Sequence, residues 1–200
     1  MFSLPRPRLA QHDRIDRFQV LGELGRGGFG EVVRAFDPQR GREVAIKYLI
    51  RGDLKAARRF EREVAAAARL IHPNVVASLE SGVHEGRPFL VMEYVEGNTL
   101  ESLASGRERA LSPSRAAELL REIACGVAYA HSQGVLHRDI KPANVLVDRK
   151  GIARLLDFGL AFLVDSNERL SLTGAMLGTP FFMAPEQAVG KRADERTDVY

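Results

Sequence analysis

The chain has 200 residues, 45% of them hydrophobic and 28% charged, a composition typical of a globular protein with one sizeable core or two small lobes. Lysine and arginine exceed aspartate and glutamate by only three, 29 against 26, so the charge does not favour a nucleic-acid partner. No apolar run approaches the roughly 18 residues of a membrane span, and one cysteine excludes an internal disulfide, so we expect a cytoplasmic protein.

The first 16 residues contain two prolines and several arginines without a sustained period, which predicts a flexible basic leader. Residues 17–95 then show short β-type runs separated by turn signals such as Asp37-Pro38 and Glu85-Gly86. The pattern predicts five antiparallel strands, at residues 18–24, 31–36, 43–50, 76–82 and 88–95.

One helix interrupts this sheet at about residues 54–70, and the apolar stripe predicted to be buried consists of Phe60, Val64, Ala67 and Ile71. Glu63 lies on the same side as the stripe, and an inward carboxylate is costly unless a cation meets it. Lys47 is the matching cation, because it lies in a strand that is apolar on both faces. The alternative is a lysine that extends its ammonium to the surface. We expect Lys47 and Glu63 to pair.

A glycine cluster, Gly25-Arg-Gly27-Gly28-Phe-Gly30, joins the first two predicted strands. On its own such a cluster is most often only a turn. In a dinucleotide-binding fold the glycines open a helix, whereas here the alternating run that follows them predicts a second strand. The glycines therefore lie at the tip of a hairpin, where backbone N–H groups can bind phosphates.

The pattern changes after a hinge at residues 93–98. Ser112 or Ser114 caps a second long helix that ends at Gly134, and two short strands follow at residues 145–148 and 153–156. The residues of this helix predicted to face a core are Leu119, Leu120, Ile123, Ala124, Val127 and His131. Residues 157–184 form a long irregular segment, which is usually functional or disordered.

Residue types that serve in catalysis and metal binding are most concentrated in the run His137-Arg138-Asp139-Ile-Lys141-Pro-Ala-Asn144, which is followed by Asp157-Phe-Gly159. A loop that presents Asp139 and Asn144, with Asp157 at the end of the neighbouring strand, supplies the hard oxygen ligands that Mg²⁺ prefers. Chance or helix capping explains any one of these residues but not the whole set.

Together these motifs resemble the signature of eukaryotic-type protein kinases, and in particular the bacterial Ser/Thr kinases. The resemblance runs in order from Gly25 to Tyr200. It covers GRGGFGEV, VAIK ending at Lys47, FEREV around Glu63, HPN, VMEYVEG, HRDIKPAN, DFG, and GTPFFMAPE ending at Glu186.

The resemblance implies an enzyme that transfers the γ-phosphoryl group of ATP to protein hydroxyls. Asp139 would orient the acceptor hydroxyl and accept its proton, and Lys141 would neutralise charge on the phosphoryl group. Asn144 and Asp157 would hold Mg²⁺. Lys47, held by Glu63, would contact two phosphates of ATP beneath the loop of Gly25, Gly27, Gly28 and Gly30.

For the adenine, the resemblance implies Met92 as the residue that gates the pocket and backbone groups of Glu93 and Val95 as hydrogen-bond partners. Val32 and Ala45 would cover the ring. Lys141 and the Gly178-Thr179-Pro180 run resemble the Ser/Thr-specific pattern, so we expect serine or threonine acceptors in proteins.

Arg138 precedes Asp139, and its simplest interpretation is a solvated cation. In the family that the chain resembles, this arginine pairs with a phosphate on the irregular segment, and Ser171 and Thr173 lie where such phosphosites occur. Self-phosphorylation in trans would supply that phosphate.

The expected fold is α+β, with a five-stranded antiparallel lobe carrying one helix at residues 17–95 and a mainly helical lobe at 96–200. ATP and Mg²⁺ would lie in the cleft. Because the chain stops where the family would begin its central helix, we expect the second lobe to be truncated, with an exposed apolar stripe on its long helix.

Two other functions stay open on the sequence alone. One is a nucleotide-binding or interaction fragment that does not transfer phosphate. The other is a small-molecule kinase of similar architecture, which the position of Lys141 and the GT…APE segment disfavour.

Overall fold

The structure is a computed structural model that describes residues 14–27, 30–49, 64, 67–105, 111–158 and 180–200. The described residues form two compact units. The first contains residues 14–49 and Ser78–Tyr94, and the second contains residues 64–77 and Val95–Tyr200. Glu63, Gly28, Ser171, Thr173 and most of the helix predicted at 54–70 lie outside the described residues. Of its predicted stripe, Val64 and Ala67 are buried, but Ile71 exposes 83% of its surface, so the prediction that Ile71 is buried is wrong.

The first unit is an antiparallel sheet of six strands in the order β1-β2-β3-β4-β6-β5. The strands are β1 (Arg14–Ile15), β2 (Phe18–Gly27), β3 (Gly30–Asp37), β4 (Arg42–Leu49), β5 (Ser78–His84) and β6 (Arg87–Glu93). Neighbouring strands in sequence pair directly, except that β4 pairs with β6.

The prediction of five strands is wrong by one, because Arg14 and Ile15 of the expected leader pair with β2. Ile15 is fully buried beside Phe18. Asp16 makes the turn between them with a φ of 52°, a left-handed conformation that aspartate tolerates better than most residues. Burying such an apolar side chain contributes about 1.5–3 kcal/mol, which is enough to order this short strand.

One face of the sheet carries the core of the first unit. Side chains alternate along β3 and β4, so that every second residue reaches this face. The buried members are Ile15, Phe18, Val33, Ala35, Val44, Ile46, Tyr48, Phe89 and Val91. Phe18 and Phe89 meet edge to face with ring centroids 6.2 Å apart.

A cluster of four charged side chains joins distant parts of this sheet. The carboxylate of Asp37, fully buried, receives hydrogen bonds from the side chains of Arg17 and Arg40. Both arginines also pair with Glu80 on β5. The cluster therefore connects the start of β2, the β3–β4 turn and the edge strand β5.

The second unit combines a small sheet with four helices among its described residues. Its sheet has the order β7-β8-β9 and is antiparallel. The elements are β7 (Gly97–Thr99), α1 (Leu100–Ser105), α2 (Pro113–Ser132), β8 (Val145–Asp148), β9 (Ala153–Leu155), α3 (Pro185–Ala188) and α4 (Glu195–Val199). Short 3-10 turns occupy Pro142–Asn144 and Pro180–Phe182.

Helix α2 begins at the predicted cap, since the hydroxyl of Ser112 accepts a hydrogen bond from the backbone N–H of Arg115. Its inner face packs closely on the loop before β5: a Cβ atom at Gly126 would lie 2.9 Å from the carbonyl oxygen of Asn74. Within the described part of the chain, no helix is both long and apolar enough to cross a bilayer.

The outer part of the predicted α2 stripe is exposed. Leu119 is buried, but the next residue, Leu120, exposes 64% of its surface, so the prediction that Leu120 faces a core is wrong. Leu120 lines an apolar groove of the second unit together with Phe181 and Val199. The two leucines differ because they point about 100° apart around the helix, and only Leu119 faces the small sheet.

We predict that Asp37 makes the stability of the protein depend on pH. Burial alone would raise the pKa of Asp37, but hydrogen bonds from Arg17, Arg40 and the backbone N–H of Gln39 lower it to about 2. Because the pKa is depressed on folding, this stabilisation is present above about pH 4 and is lost as the pH falls towards 2.

The measurement is the free energy of unfolding of wild type and Asp37→Asn at several pH values. The variant should be less stable at pH 7, and the difference should shrink as the pH falls from about 4 to about 2. A difference that stays constant over this range would contradict the prediction.

Candidate functional site

One face of the sheet carries five of the residues predicted to bind a nucleotide, namely Gly25, Val32, Ala45, Lys47 and Met92. Gly25 pairs with Val32, Val32 with Lys47, and Lys47 with Leu90 across four strands. Ala45 lies two residues before Lys47 and pairs with Met92. Cross-strand partners point to the same side of a sheet, so this face is opposite the apolar core.

Lys47 is enclosed, with only 6% of its surface exposed. The alternative of a lysine that reaches the surface is therefore wrong. A buried ammonium needs anionic or hydrogen-bonding partners, and Lys47 does have polar interactions in the structure. The predicted partner Glu63 lies outside the described residues, so that pairing stays a prediction.

The glycine-rich hairpin leaves its backbone accessible. Gly27 pairs with Gly30 at the end of β2 and the start of β3, with Gly28 outside the described residues. A Cβ atom at Gly25 would meet nothing within 4 Å, and its φ is not left-handed. Neither steric clashes within the chain nor the backbone conformation requires glycine at this position. The open space beside Gly25 is consistent with a position that a bound ligand occupies.

In the second unit, the loop between α2 and β8 is built around a buried histidine. His137 is fully buried, and burial lowers its pKa, so the ring is neutral. Its Nε2 lies 2.7 Å from the carbonyl oxygen of Leu156 and must donate the proton, while Nδ1 accepts the backbone N–H of Asp139 at 3.3 Å. The Phe158 ring packs against the imidazole at a tilt of 59°, with ring centroids 4.7 Å apart.

The carboxylate of Asp198 in α4 fixes the backbone of the same loop. It accepts the N–H of His137 at 2.8 Å and the N–H of Arg138 at 2.6 Å. His131 at the end of α2 also contacts it, with Nε2 at 2.8 Å. Hydrogen bonds to a carboxylate are stronger than neutral ones, so this contact holds the loop firmly between α2 and α4.

Asp139, Lys141 and Asn144 form one connected group. The ammonium of Lys141 lies 2.8 Å from Oδ2 of Asp139, and the side-chain amide of Asn144 donates to the same oxygen and to the backbone carbonyl of Asp139, both at 2.8 Å. Asp139 keeps 27% of its side chain exposed. The carboxylate is thus fixed in direction while remaining open to a substrate.

Arg138 and Asp157 both adopt a left-handed backbone, with φ values of 66° and 62°. Such conformations cost about 1–3 kcal/mol for residues other than glycine, and they concentrate at active sites. The hydrogen bonds of Asp198 hold Arg138 in this conformation. Asp16 and Glu85 also have left-handed backbones, so the strain supports a functional role for Arg138 and Asp157 only together with their positions next to Asp139 and Asn144.

Asn144 and Asp157 suit a divalent cation. The backbone N–H of Leu156 donates to the carbonyl of Asn144 at 2.9 Å, which brings the start of the Asp157 segment beside Asn144. Because Nδ2 of Asn144 binds Asp139, its Oδ1 is the side-chain atom suited to a metal. Mg²⁺ commonly takes one or two protein oxygens and completes its shell with phosphate and water.

No group of three or more His, Cys, Asp or Glu residues that could hold a metal is present in the part of the chain that the structure describes. The pair Asn144 and Asp157 fits a cation that arrives with phosphate groups.

The sequence analysis missed two residues that support the loop. Gln187 of α3 donates from Nε2 to the carbonyl oxygen of Arg138 at 2.9 Å, and its Oε1 accepts the N–H of Ala184. His131 was assigned only to the helix core, although it contacts Asp198. The position of Gln187 directly after the APE motif was the available signal.

Comparisons with known proteins identify the family of the chain. Residues 18–200 match the protein kinase domain family. A probable serine/threonine-protein kinase of Streptomyces coelicolor is 43% identical over 194 residues, covering 92% of this chain and 28% of the relative. The serine/threonine-protein kinase pkn2 of Myxococcus xanthus is 44% identical over 193 residues, covering 92% of this chain and 23% of the relative.

The solved structures give the same fold. The crystal structure of the Mycobacterium tuberculosis PknI kinase domain matches with a TM-score of 0.75 and 30% sequence identity, covering 96% of this chain and 73% of the other. The chain spans about a quarter of the length of the two bacterial relatives named above.

A strand-rich unit with a buried lysine, together with a unit whose loop presents Asp139 and Asn144, defines a two-lobe kinase fold. The chain belongs to the protein kinase family. It carries a kinase domain whose named relatives are bacterial serine/threonine-protein kinases.

We predict that Asp198→Asn loosens the loop at His137 and Arg138. An asparagine offers one acceptor oxygen where the carboxylate offers two, and its amide group would face an N–H donor. We therefore expect the free energy of unfolding to fall by about 1–3 kcal/mol. Backbone amides of His137 and Arg138 should exchange hydrogen faster, as measured by NMR or mass spectrometry.

The matched control is Asp194→Asn. Asp194 caps the same helix by accepting the N–H of Arg196, and asparagine caps helices about as well as aspartate. This control should leave the exchange at His137 and Arg138 unchanged. Equal effects of the two substitutions would contradict a specific role for Asp198.

Proposed function

We propose that the chain is the catalytic domain of an ATP-dependent protein serine/threonine kinase. The observation that carries this proposal is the group formed by Asp139, Lys141 and Asn144, in which the Asp139 carboxylate is oriented by two hydrogen-bond donors yet partly open. Family membership and the names of the bacterial relatives support the same activity.

In the proposed reaction, the hydroxyl oxygen of a serine or threonine attacks the γ-phosphorus of ATP. The bond from this phosphorus to the bridging oxygen breaks, and ADP leaves with the electron pair. The hydroxyl proton passes to the Asp139 carboxylate. Lys141 balances negative charge on the transferred group, since its ammonium lies beside Asp139.

His137 does not take part as a base in this proposal. Both its nitrogens are used, one towards Leu156 and one towards Asp139, and its burial keeps the ring neutral. Its role is to fix the backbone from which Asp139 projects. Proton acceptance is therefore assigned to Asp139 alone.

The first unit supplies residues for ATP. Backbone N–H groups of the hairpin around Gly25, Gly27, Gly28 and Gly30 bind phosphates, and Lys47 neutralises their charge with Glu63 as its counter-ion. Val32 and Ala45, which share the face of Lys47, contact the adenine ring, and Met92 limits the depth of its pocket. Backbone groups of Glu93 in this unit and of Val95, the first residue after it, bond the adenine edge.

Protein kinases generally use ATP with Mg²⁺, and Asn144 and Asp157 are the residues that would hold the cation here. Bound Mg²⁺ would shield the phosphate charges. The substrates are proteins with serine or threonine acceptors, which Lys141 and the relatives support. A role of this protein in signalling is also part of the proposal.

Asp139→Asn should bind ATP with nearly unchanged affinity but transfer phosphate about 10²–10⁴ times more slowly, because the amide cannot accept the hydroxyl proton. The measurements are calorimetric ATP binding and a single-turnover rate with a serine-containing protein substrate. Glu118→Gln, which removes an exposed pair with Arg115 on α2, is the control and should keep the wild-type rate.

Two outcomes would contradict this assignment. Transfer by Asp139→Asn at the wild-type rate would remove Asp139 from the chemistry. Binding of ATP by the wild type without any transfer would support a nucleotide-binding fragment instead.

Ser171 and Thr173 are the proposed regulatory phosphosites, with Arg138 as the phosphate partner. A phosphate near the Arg138 guanidinium would add charge-assisted hydrogen bonds and order the segment around it. Peptide mass mapping after incubation with Mg²⁺ and ATP should find phosphate on at least one of the two residues. An active preparation with neither residue phosphorylated would contradict the assignment.

A further inference from the structure

At the tip of the glycine-rich hairpin, the pairing of β2 with β3 is weak. Its last three pairs join Gly25 to Val32, Arg26 to Glu31, and Gly27 to Gly30. Glycine loses more conformational freedom on ordering than any other residue and offers no side chain to pack. Two register irregularities interrupt β2 before this point, between Val20 and Gly22 and between Glu23 and Gly25. The backbone alone therefore specifies the tip poorly.

Arg26 and Glu31 form the one pair among these three in which both residues carry a side chain. Nη2 of Arg26 lies 3.0 Å from Oε1 of Glu31, so the contact is both a hydrogen bond and an ion pair. Only 7% of the Glu31 side chain is exposed, against 48% of the Arg26 side chain. A carboxylate that is this buried interacts more strongly with a cation than a surface carboxylate does.

The pair lies on the side of the hairpin opposite the proposed nucleotide. Glu31 pairs with Tyr48 of β4, and Tyr48 belongs to the apolar core of the first unit. Val32, the next residue, pairs with Lys47 on the other face. Because alternate residues point to opposite sides, Arg26 and Glu31 act through the backbone rather than by touching the ligand.

We propose that the Arg26–Glu31 ion pair is a clip that holds the glycine-rich hairpin in register before ATP arrives. The inference rests on the proposed nucleotide-binding function and adds two positioning residues to it. A hairpin that is already ordered loses less conformational entropy when its N–H groups bind phosphates, so the clip raises the affinity for ATP.

Arg26→Gln tests the clip in the full protein, because Arg26 is half exposed and its loss leaves the core intact. The dissociation constant for Mg-ATP should rise about three- to tenfold. In the absence of nucleotide, backbone amides of residues 25–32 should exchange hydrogen faster. The KM for the protein substrate should stay at its wild-type value. The thermal unfolding temperature should fall only slightly, because the amide that Arg26→Gln introduces can still donate to the Glu31 carboxylate, whereas a general structural defect would lower it strongly.

Rescue and control variants separate the clip from other effects. Arg26→Lys should recover part of the affinity, and the exchanged pair Arg26→Glu with Glu31→Arg should recover more than Arg26→Glu alone. Glu43→Gln removes a second cross-strand ion pair between β3 and β4, with Arg34, which is 2.8 Å long, more exposed and further from the hairpin tip. This matched control should change neither the ATP affinity nor the exchange at residues 25–32.

The outcomes distinguish the clip from the function on which it rests. If the wild type binds ATP and Arg26→Gln binds it equally well, the clip is overturned while the kinase function stands. If the wild type binds no ATP, both are overturned. Faster exchange without a change in affinity overturns the role in positioning for ATP.

Discussion

The loop between α2 and β8 depends on one buried carboxylate. Asp198 accepts the backbone N–H groups of His137 and Arg138 and contacts His131, so that α2, the loop and α4 meet at its two oxygens. Leaving a buried N–H without a partner costs about 1–3 kcal/mol, and here two adjacent ones share one acceptor group. This contact lets Arg138 keep a left-handed backbone and sets the direction in which Asp139 projects.

A second constraint, strand register, organises the other unit. The antiparallel pairing places Val32, Lys47 and Leu90 in one row, and the neighbouring row contains Ala45 and Met92. A shift of one residue in the register of β4 would point the Lys47 side chain into the apolar core, and the opposite face would lose this cation. The fully buried residues on the opposite face, such as Val44 and Ile46, oppose that shift. Hydrophobic burial thus fixes the position of a charged group.

Much of this arrangement could be predicted from the residues themselves. Alternation of apolar side chains located β3 and β4, and the apolar surroundings of Lys47 correctly predicted its enclosure. The Ser112 cap located the start of α2. These predictions succeeded because they rest on local patterns, namely side-chain period and capping, that tertiary structure rarely overrides.

The predictions that failed depend on contacts between residues that are distant in the sequence. Ile15 gave too short an apolar signal to reveal a strand, and its burial depends on a turn at Asp16 and on packing with Phe18. Gln187 bonds Arg138 across 49 positions, and its place directly after the APE motif does not show which residue it contacts. Leu120 fits the apolar stripe of α2, but the helical period does not show which edge of that stripe another element buries.

Direct counting of the products in a single turnover tests the central claim most sharply. Purified protein is mixed with Mg²⁺, γ-labelled ATP and a protein that contains serine, threonine and tyrosine. The account predicts one labelled phosphoserine or phosphothreonine for each ADP formed, with no label on tyrosine. Release of the label only as free phosphate, or its transfer to tyrosine alone, would contradict it.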